Sequence, residues 1–419
     1  MKKTIFLLLF TTIVYSQGLL FDETNYNNTK SWEPTEKFGF SSTLPSNISY
    51  REYTPRVLSQ GKTATCVGYA VGYAQLSTQQ NLKMGVTNEI HKIFRAMDPN
   101  FLYGFLRLQN QNDEWCKKGT SMGAAMEILY QKGSKPRVWY PWLKCNSIQT
   151  FNEFTIALAS NYTIDDYFKI PKEGDFIENV KLALYNKLIV STGVILTESF
   201  ESGATVKYGN WSPNYNEKII GGHAMCVIGY DDYRNGGSFE VMNSWGTDFG
   251  DNGYIWINYK DFNLLANQAY VINIKGLSKD KCSMGDCKDS YSRYKFDNGD
   301  IYEGVVKNGN LDVFGSLIYN SGDFYVGFFQ KGRKHGYGLY YSSKSRYYYK
   351  VTYSQDVLID SSSIQGYAKS NESSEQIDTI FDLIKDQLPG KLISEGNDEF
   401  EKFSKTQEVP EFPLTIEIK

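Results

Sequence analysis

Hydrophobic and polar positions divide the central part of the chain into two regions of different periodicity. Apolar residues recur at a steady density from Ile48 to about Ile274. Helical spacing in the first half predicts helices over residues 66–76, 99–108 and 121–132. Short apolar runs between Gly- and Asp-rich turns in the second half predict strands over residues 188–196, 224–230, 238–243 and 254–259. This order favours an α+β domain over residues 45–276, with a cleft between a helical half and an antiparallel β half.

A repeating pattern follows a linker of residues 277–290. Six positions recur 23 residues later within residues 291–353: Gly299, Asp300, Tyr302, Gly304, Gly309 and Gly315 match Gly322, Asp323, Tyr325, Gly327, Gly332 and Gly338. A Tyr-x-Gly step, a glycine turn and an aromatic run predict successive β-hairpins in a small C-terminal all-β domain. The pattern resembles MORN repeats, with a degenerate third copy near Tyr348. Its tyrosines and glycines are expected mainly to build the hairpins, and a protein or a membrane surface is the expected partner.

The N-terminal residues have the pattern of an export signal. Lys2 and Lys3 precede an apolar run over residues 5–14, and Val14 and Ser16 are small enough for the −3 and −1 positions of a cleavage site. About ten apolar residues are too few to cross the roughly 30 Å hydrocarbon core of a membrane. Residues 1–16 therefore predict a cleavable signal peptide and a secreted or periplasmic protein.

The segments flanking the predicted domains are polar. Residues 17–44 are rich in Asn, Thr, Ser and Glu, which predicts a poorly structured lead-in. The tail, residues 354–419, is rich in Ser and Glu and contains one amphipathic helix candidate over residues 375–388. A packing role is the expectation for that helix.

Composition excludes some classes of function. Of the 419 residues, 41% are hydrophobic and 22% are charged, which is ordinary for a soluble globular protein. The net charge is −3 and no long basic run is present, so a nucleic-acid partner is not expected. The three histidines are scattered, without metal-site spacing, and neither a metal nor another cofactor is predicted.

The six cysteines separate into three groups. An exported chain meets an oxidising compartment, where thiols tend to pair. Cys282 and Cys287 would close a short loop, and Cys116 with Cys145 is a second candidate pair. Cys226 lies in an apolar run and is expected to be a buried small hydrophobe. By elimination, Cys66 is the candidate reactive thiol.

The surroundings of Cys66 favour a nucleophile. A loop that begins at Gln60 leads into a helix with Cys66 in its first turn, where the helix dipole favours the thiolate over the thiol. Unpaired backbone N–H groups at that helix end can stabilise a developing oxyanion. The side-chain amide of Gln60 can bring a second donor.

His223 is the histidine best placed to act as a base. It lies between the Gly221–Gly222 pair and an apolar strand, and glycines let a substrate approach closely. Asn243 can accept a hydrogen bond from the imidazole and fix its tautomer, and Trp245 can shield that bond from water.

Together these segments resemble the signatures of the papain-like (C1) cysteine peptidases. The matching motifs are Gln60-Gly61…Cys66, Gly222-His223-Ala224 and Asn243-Ser244-Trp245-Gly246, in family order. The resemblance covers roughly residues 45–275 and implies a papain-like two-subdomain fold. It implies that Cys66 is the nucleophile, His223 the base and Asn243 its orienting group. It also implies an oxyanion hole formed by the Cys66 amide and Gln60, shielding by Trp245, and substrate binding at Gly119 and Gly222.

The chain departs from the family around the nucleophile. Thr63-Ala64-Thr65-Cys66-Val67 replaces the usual Cys-Gly-Ser-Cys-Trp. Residues 17–44 are too few for the family's helical inhibitory propeptide, so control is expected to be absent or to come from the repeats or the tail. The predicted function is peptide-bond hydrolysis in peptide or protein substrates by an exported cysteine peptidase. The alternatives are an inactive papain-like binding module and acyl transfer to an amine, as in transglutaminase-like enzymes.

Overall fold

The computed structural model describes residues 18–34, 44–107, 115–137, 156, 159–201, 206, 209–213, 215–274, 281–345 and 347–364. The predicted signal peptide and the predicted helix over residues 375–388 lie outside these ranges. Contacts divide the chain into two compact units. The first comprises Met1–Thr150 and Tyr162–Ile274, and the second comprises Phe151–Asn161 and Lys275–Lys419.

The helices of the first unit lie mainly in its N-terminal half, as the apolar spacing predicts. They are α1 (Glu23–Asn28), a π-helix (Gly68–Leu76) that continues into α2 (Ser77–Met84), α3 (Glu89–Arg95), α4 (Pro99–Arg107), α5 (Met122–Gln131), α6 (Phe176–Tyr185), α7 (Glu198–Glu201) and α8 (Tyr259–Leu265). Local sequence sets several of their ends. The Ser121 side chain accepts the Ala124 N–H at the start of α5, and α2 ends at Gly85, which has a left-handed φ of 67°.

A single sheet forms the other layer of this unit. Its strands are β1 (Asn47–Ser49), β2 (Ile164–Lys169), β3 (Val190–Thr197), β4 (Asn210–Trp211), β5 (Ile219–Asp231), β6 (Ser238–Met242), β7 (Tyr254–Asn258) and β8 (Ala266–Ile274). The order is β2-β8-β3-β5-β6-β7-β4, with β1 also paired to β5. Every pair is antiparallel except β4 with β7. The predicted mixture of helices and antiparallel strands is confirmed.

The helix that begins at Cys66 packs between the sheet and α4. Two sheet carbonyls, those of Ile189 and Tyr270, each accept a hydrogen bond of 2.8 Å from the Gln75 side-chain amide. On the α4 side, a β-carbon at Gly68 would lie only 2.3 Å from the Pro99 carbonyl oxygen. Glycine therefore permits the close approach of α4 that fixes the start of this helix.

The prediction of a poorly structured lead-in is wrong for residues 18–34. This segment contains α1, whose first turn is capped by the Asp22 side chain. Leu19, Tyr26 and Trp32 are buried, with exposed fractions of 3%, 6% and 9%. Burial of these three side chains, which are widely spaced in a polar stretch, stabilises the attachment of the segment to the first unit.

The described part of the second unit is an antiparallel sheet whose strands pair in sequence order. Its strands are β9 (Cys282–Met284), β10 (Tyr291–Lys295), β11 (Ile301–Lys307), β12 (Asn310–Ile318), β13 (Phe324–Gln330), β14 (Arg333–Ser342), β15 (Tyr347–Ser354) and β16 (Val357–Ile364). The C-terminal all-β region is thus observed, but its bounds are wider than predicted. β9 lies in the predicted linker and β16 in the predicted tail.

The 23-residue spacing corresponds to equivalent positions in successive hairpins. Gly304 is opposite Gly315, and Gly327 is opposite Gly338. A β-carbon at Gly315 or Gly338 would lie within 2.5 Å of the ring of Tyr302 or Tyr325, respectively. Each tyrosine ring therefore covers a glycine pair, as expected for residues that build the hairpins.

Aspartates join neighbouring turns of this sheet. Asp300 and Asp323 each accept a backbone N–H from a later turn at 2.8 Å, from Asn320 and Ser343 respectively. The Cys282–Cys287 disulfide lies at the start of this unit. In the part of the chain that the structure describes, no helix is long and apolar enough to cross a membrane.

Candidate active site

His223 and Asn243 meet at the centre of the first unit's sheet. His223 lies in β5, and Asn243 directly follows β6, the strand that pairs with β5. The His223 Nε2 atom is 2.7 Å from the Asn243 Oδ1 atom, and the two residues are 0% and 3% exposed. Because Oδ1 can only accept, the proton of this hydrogen bond resides on Nε2. The amide therefore fixes both the ring orientation and the tautomer.

Aromatic side chains surround this pair. The ring centroids of Trp245 and His223 are 5.2 Å apart. Phe200 and Phe249 pack edge-on against Trp245, with centroid distances of 5.0 and 4.9 Å. These rings exclude water from the His223–Asn243 hydrogen bond and so strengthen it.

Cys66 lies at the start of its helix, beside the strand that carries His223. The thiol is 0% exposed, and burial raises its pKa to about 12, although the backbone N–H groups of Ala224, Val67 and Cys66 itself lower it. The hydrogen bond from Ala224 places the sulfur next to His223 along β5. Desolvation therefore opposes the favourable field of the helix N-terminus and has the larger effect on the pKa of the Cys66 thiol.

The loop of Gln60 is joined to the turn that carries Asn243 and Trp245. The Gln60 backbone N–H donates to the Ser244 carbonyl at 2.8 Å, and the Ser244 hydroxyl donates to Gln60 Oε1 at 2.6 Å. Gln60 Nε2 donates to the Thr63 carbonyl at 2.6 Å, within its own loop. An amide nitrogen carries two hydrogens, so this contact uses one and leaves one for a further acceptor.

The lead-in segment of residues 18–34, named the strap here, covers this site. The Leu19 N–H donates to the Gly222 carbonyl at 3.3 Å, and the Leu20 N–H donates to the Thr120 carbonyl at 3.0 Å. The Thr120 N–H in turn donates to the Gly18 carbonyl at 2.9 Å. This contact was not predicted from the sequence. The sign of it in the sequence was the presence of apolar residues in an otherwise polar segment.

Comparison with known proteins identifies the first unit. A family model described as the papain family cysteine protease matches residues 108–273. An uncharacterized peptidase C1-like protein of Acanthamoeba polyphaga mimivirus is 29% identical over 279 residues, which are 64% of this chain and 82% of that protein. The chain contains a papain-like cysteine peptidase domain.

Two further proteins are similar to this part of the chain. Mouse pro-cathepsin H is 31% identical over 150 residues, which are 35% of this chain and 42% of that protein. The crystal structure of xylellain, a cysteine protease from Xylella fastidiosa, superposes with a TM-score of 0.51 at 21% identity, over 63% of this chain and 97% of xylellain. At that identity, the match supports the papain-like fold alone.

The family match includes some of the predicted site residues and omits others. Within the peptidase domain, His223, Asn243 and Trp245 fall inside residues 108–273, whereas Gln60 and Cys66 precede them. The residues just before Cys66 are those that depart from the usual family motif. The fold nevertheless brings both parts together, through the contacts of Gln60 with Ser244 and of Cys66 with Ala224.

The remaining predicted residues of the peptidase domain are two glycines and three cysteines. Gly119 and Gly222 both face the strap, since a β-carbon at either position would lie within 3.0 Å of its atoms. Cys116 is disulfide-bonded, and its predicted partner Cys145 lies outside the described residues. Cys226 has a free thiol and is buried. No cluster of three or more metal-ligating side chains occurs in the described part of the chain.

Proposed function

We propose that the chain hydrolyses peptide bonds, with Cys66 as nucleophile, His223 as general base and acid, and Asn243 as the residue that positions His223. The observation that carries this proposal is the buried 2.7 Å contact between His223 Nε2 and Asn243 Oδ1, beside the Ala224 N–H that binds the Cys66 sulfur. Because the Nε2 proton is held by Asn243, Nδ1 is the ring nitrogen that exchanges protons with the thiol.

The reaction begins when His223 Nδ1 takes the proton of the Cys66 thiol. The thiolate attacks the carbonyl carbon of the substrate peptide, and the carbonyl oxygen becomes an oxyanion. The backbone N–H of Cys66 and the second N–H of Gln60 Nε2 are the proposed donors to this oxyanion. The hydrogen bond from Gln60 to Thr63 orients the donor amide before the substrate arrives.

The intermediate then collapses to a thioester. The imidazolium of His223 gives its Nδ1 proton to the nitrogen of the leaving amine, and the C–N bond breaks. In the second half, His223 takes a proton from water, the hydroxide attacks the thioester carbon, and the carboxylic acid leaves. The proton returns to sulfur and restores the Cys66 thiol.

Peptide hydrolysis by matched variants tests this proposal. All chains carry Leu19→Asp, which places a carboxylate at a side chain that is 3% exposed and should release the strap from the site. This parent and its Cys66→Ala, His223→Ala and Cys226→Ala derivatives are incubated with a mixture of unrelated peptides, with and without a primary amine acceptor. We expect the parent to cleave, Cys66→Ala and His223→Ala to lose cleavage, and Cys226→Ala to retain it, because Cys226 takes no part in the reaction. Incorporation of the amine in place of cleavage would favour acyl transfer, and binding without either reaction would favour a binding module.

The outer segments are proposed to determine location and partners. Residues 1–16 would direct export, since they combine a basic start, an apolar run and a small-residue cleavage site. The second unit is proposed to consist of MORN repeats that bind a protein or a membrane surface. The glycine pairs and tyrosine rings that recur after 23 residues support this assignment.

A further inference from the structure

We propose that Arg51 is a positioning residue, which holds the loop that follows β6 and thereby keeps Asn243 against His223. This loop spans residues 243–253 and leads into β7. The expected effect on the reaction rate rests on the proposed function. The contacts that hold the loop do not depend on it, since they exist whether or not the chain is a peptidase.

The guanidinium of Arg51 binds on both sides of Asn243. After it, Nη1 donates to the Asp251 carboxylate at 2.7 Å and Nη2 donates to the Asp251 carbonyl oxygen at 3.0 Å. Before it, the carboxylate of Glu240 in β6 is 3.5 Å from the same Nη1 atom. These contacts of Arg51 with Glu240 and Asp251 are named the brace here. The brace thus joins the strand before the loop to the far end of the loop.

The surroundings of Arg51 favour one fixed position of its guanidinium. The group lies over the Tyr254 ring, with its central carbon 4.0 Å from the ring centroid, and the Tyr254 and Thr54 hydroxyls share a hydrogen bond of 2.5 Å. The hydrogen bond from Arg51 holds the pKa of the Asp251 carboxyl below its usual range. A lysine at this position would keep the charge but not the planar fork that makes both bonds to Asp251.

Backbone contacts connect the brace to Asn243. The Asn243 N–H donates to the Gly253 carbonyl at 3.0 Å, and the Gly253 N–H donates to the Phe249 carbonyl at 2.7 Å. A β-carbon at Gly253 would lie 2.4 Å from Val57 Cγ1, so glycine permits the close packing of the loop at this point. The backbone of Asn243 is therefore anchored two residues after Asp251, the residue that Arg51 binds.

Loss of the brace should loosen the Asn243 amide without removing it. That amide fixes the ring orientation and the tautomer of His223 through the 2.7 Å contact with Nε2. Proton transfer by His223 depends on this orientation, whereas the brace residues contact none of the groups proposed to bind substrate. We therefore expect kcat to fall and KM to change little when Arg51 is replaced.

Lys181 provides a matched control in the same unit. Its ammonium is 2.9 Å from the Asp232 carboxylate, 4.0 Å from that of Glu178 and 4.9 Å from the centroid of the Tyr230 ring. Like Arg51, it is a cation between two carboxylates and a tyrosine ring. Asp232 is nine residues beyond His223 along the chain, which at about 3.3 Å per residue in a strand is roughly 30 Å.

The Nε2 proton of His223 reports the brace without any reaction. The full-length protein, which has three histidines, is isotopically labelled at histidine, and the signal of this buried proton is assigned by its loss in His223→Ala. Arg51→Met should accelerate exchange of the proton with water at least ~10-fold, because the loop opens more often. Lys181→Met should keep the wild-type exchange rate, and Arg51→Lys should lie between the two.

Kinetics in the Leu19→Asp parent test whether Arg51 acts through Asn243. Arg51→Met should lower kcat roughly 5- to 30-fold and change KM by less than ~3-fold, whereas Lys181→Met should change neither. Arg51→Met/Asn243→Ala should have the kcat of Asn243→Ala alone, since the brace then has no amide to position.

Three outcomes would overturn the brace. They are losses that multiply in the double variant, wild-type proton exchange in Arg51→Met, and equal effects of Arg51→Met and Lys181→Met. If Arg51→Met does not fold, Arg51→Lys takes its place, and wild-type proton exchange in that variant would also overturn the proposal. A parent that cleaves no peptide would refute the proposed function, and the proton exchange would then decide the brace by itself.

Discussion

Replacing Asn243 with alanine removes the group that orients the proposed base. The lost contact is the 2.7 Å hydrogen bond to His223 Nε2, which is buried beneath Trp245, so water cannot easily replace it. A hydrogen bond to a group that becomes charged contributes about 1.5–3 kcal/mol. Since about 1.36 kcal/mol corresponds to tenfold in rate, kcat/KM should fall roughly 10- to 150-fold.

The assay compares kcat/KM for one fluorogenic peptide in chains that also carry Leu19→Asp, so that the strap does not limit access. Asn47→Ala, at an exposed amide in the first unit, is the control and should keep the parent kcat/KM. Melting temperatures of both variants separate a loss of orientation from a loss of folding. A kcat/KM within about threefold of the parent for Asn243→Ala would refute the orienting role.

Two further predictions concern the start of the Cys66 helix and the state of its thiol. Gly68→Ala should destabilise the fold by roughly 1–3 kcal/mol in urea denaturation, because its β-carbon would lie 2.3 Å from the rigid Pro99 carbonyl oxygen. Gly72→Ala should cost less, since only the Leu102 side chain must move; equal losses would contradict this packing. For the thiol, burial raises the pKa, and the thiolate is the reactive form. The wild-type rate of Cys66 modification should therefore keep rising with pH through the alkaline range, without an inflection near neutral pH. Leu19→Asp should shift that profile to lower pH, and a wild-type inflection near neutral pH would contradict the covered state.

The α+β architecture of the first unit could be predicted from the spacing of apolar residues. Helices and strands of ordinary length form most of its core, and each leaves a periodic pattern in the sequence. The approach of His223 to Asn243 was predictable too, since the amide and the imidazole belong to recognisable motifs. The partners of Gln60 were not predictable. Its contacts with Thr63 and Ser244 depend on how two loops meet, and neither loop has a periodic pattern.

The strap and the effect of burial on the Cys66 thiol were not predicted from the sequence. Composition averages over a segment, and the polar residues of 17–44 concealed Leu19, Tyr26 and Trp32. The helix dipole at Cys66 lowers the thiol pKa, whereas burial raises it, and the sequence indicated only the first effect. A single sequence does not reveal how deeply a given thiol is buried.

The repeat in the second unit could be recognised in the sequence because each hairpin has the same steric requirement. Each glycine pair must leave room for a tyrosine ring, so the spacing of Tyr302 and Tyr325 fixes that of the glycines. The end of the sheet was harder to predict. β16 carries Val357, Leu358 and Ile359 with exposed fractions of 63%, 49% and 62%, so burial gave no periodic pattern there.

Covalent labelling with an epoxide inhibitor of cysteine peptidases tests whether Cys66 is the nucleophile. The label is located by mass spectrometry in wild type, Leu19→Asp, Leu19→Asp/Cys66→Ala and Leu19→Asp/Cys226→Ala. We expect one adduct, on Cys66, which forms faster in Leu19→Asp, is retained without Cys226 and is abolished without Cys66. An adduct on another residue, or peptide cleavage that survives Cys66→Ala, would show that Cys66 is not the nucleophile.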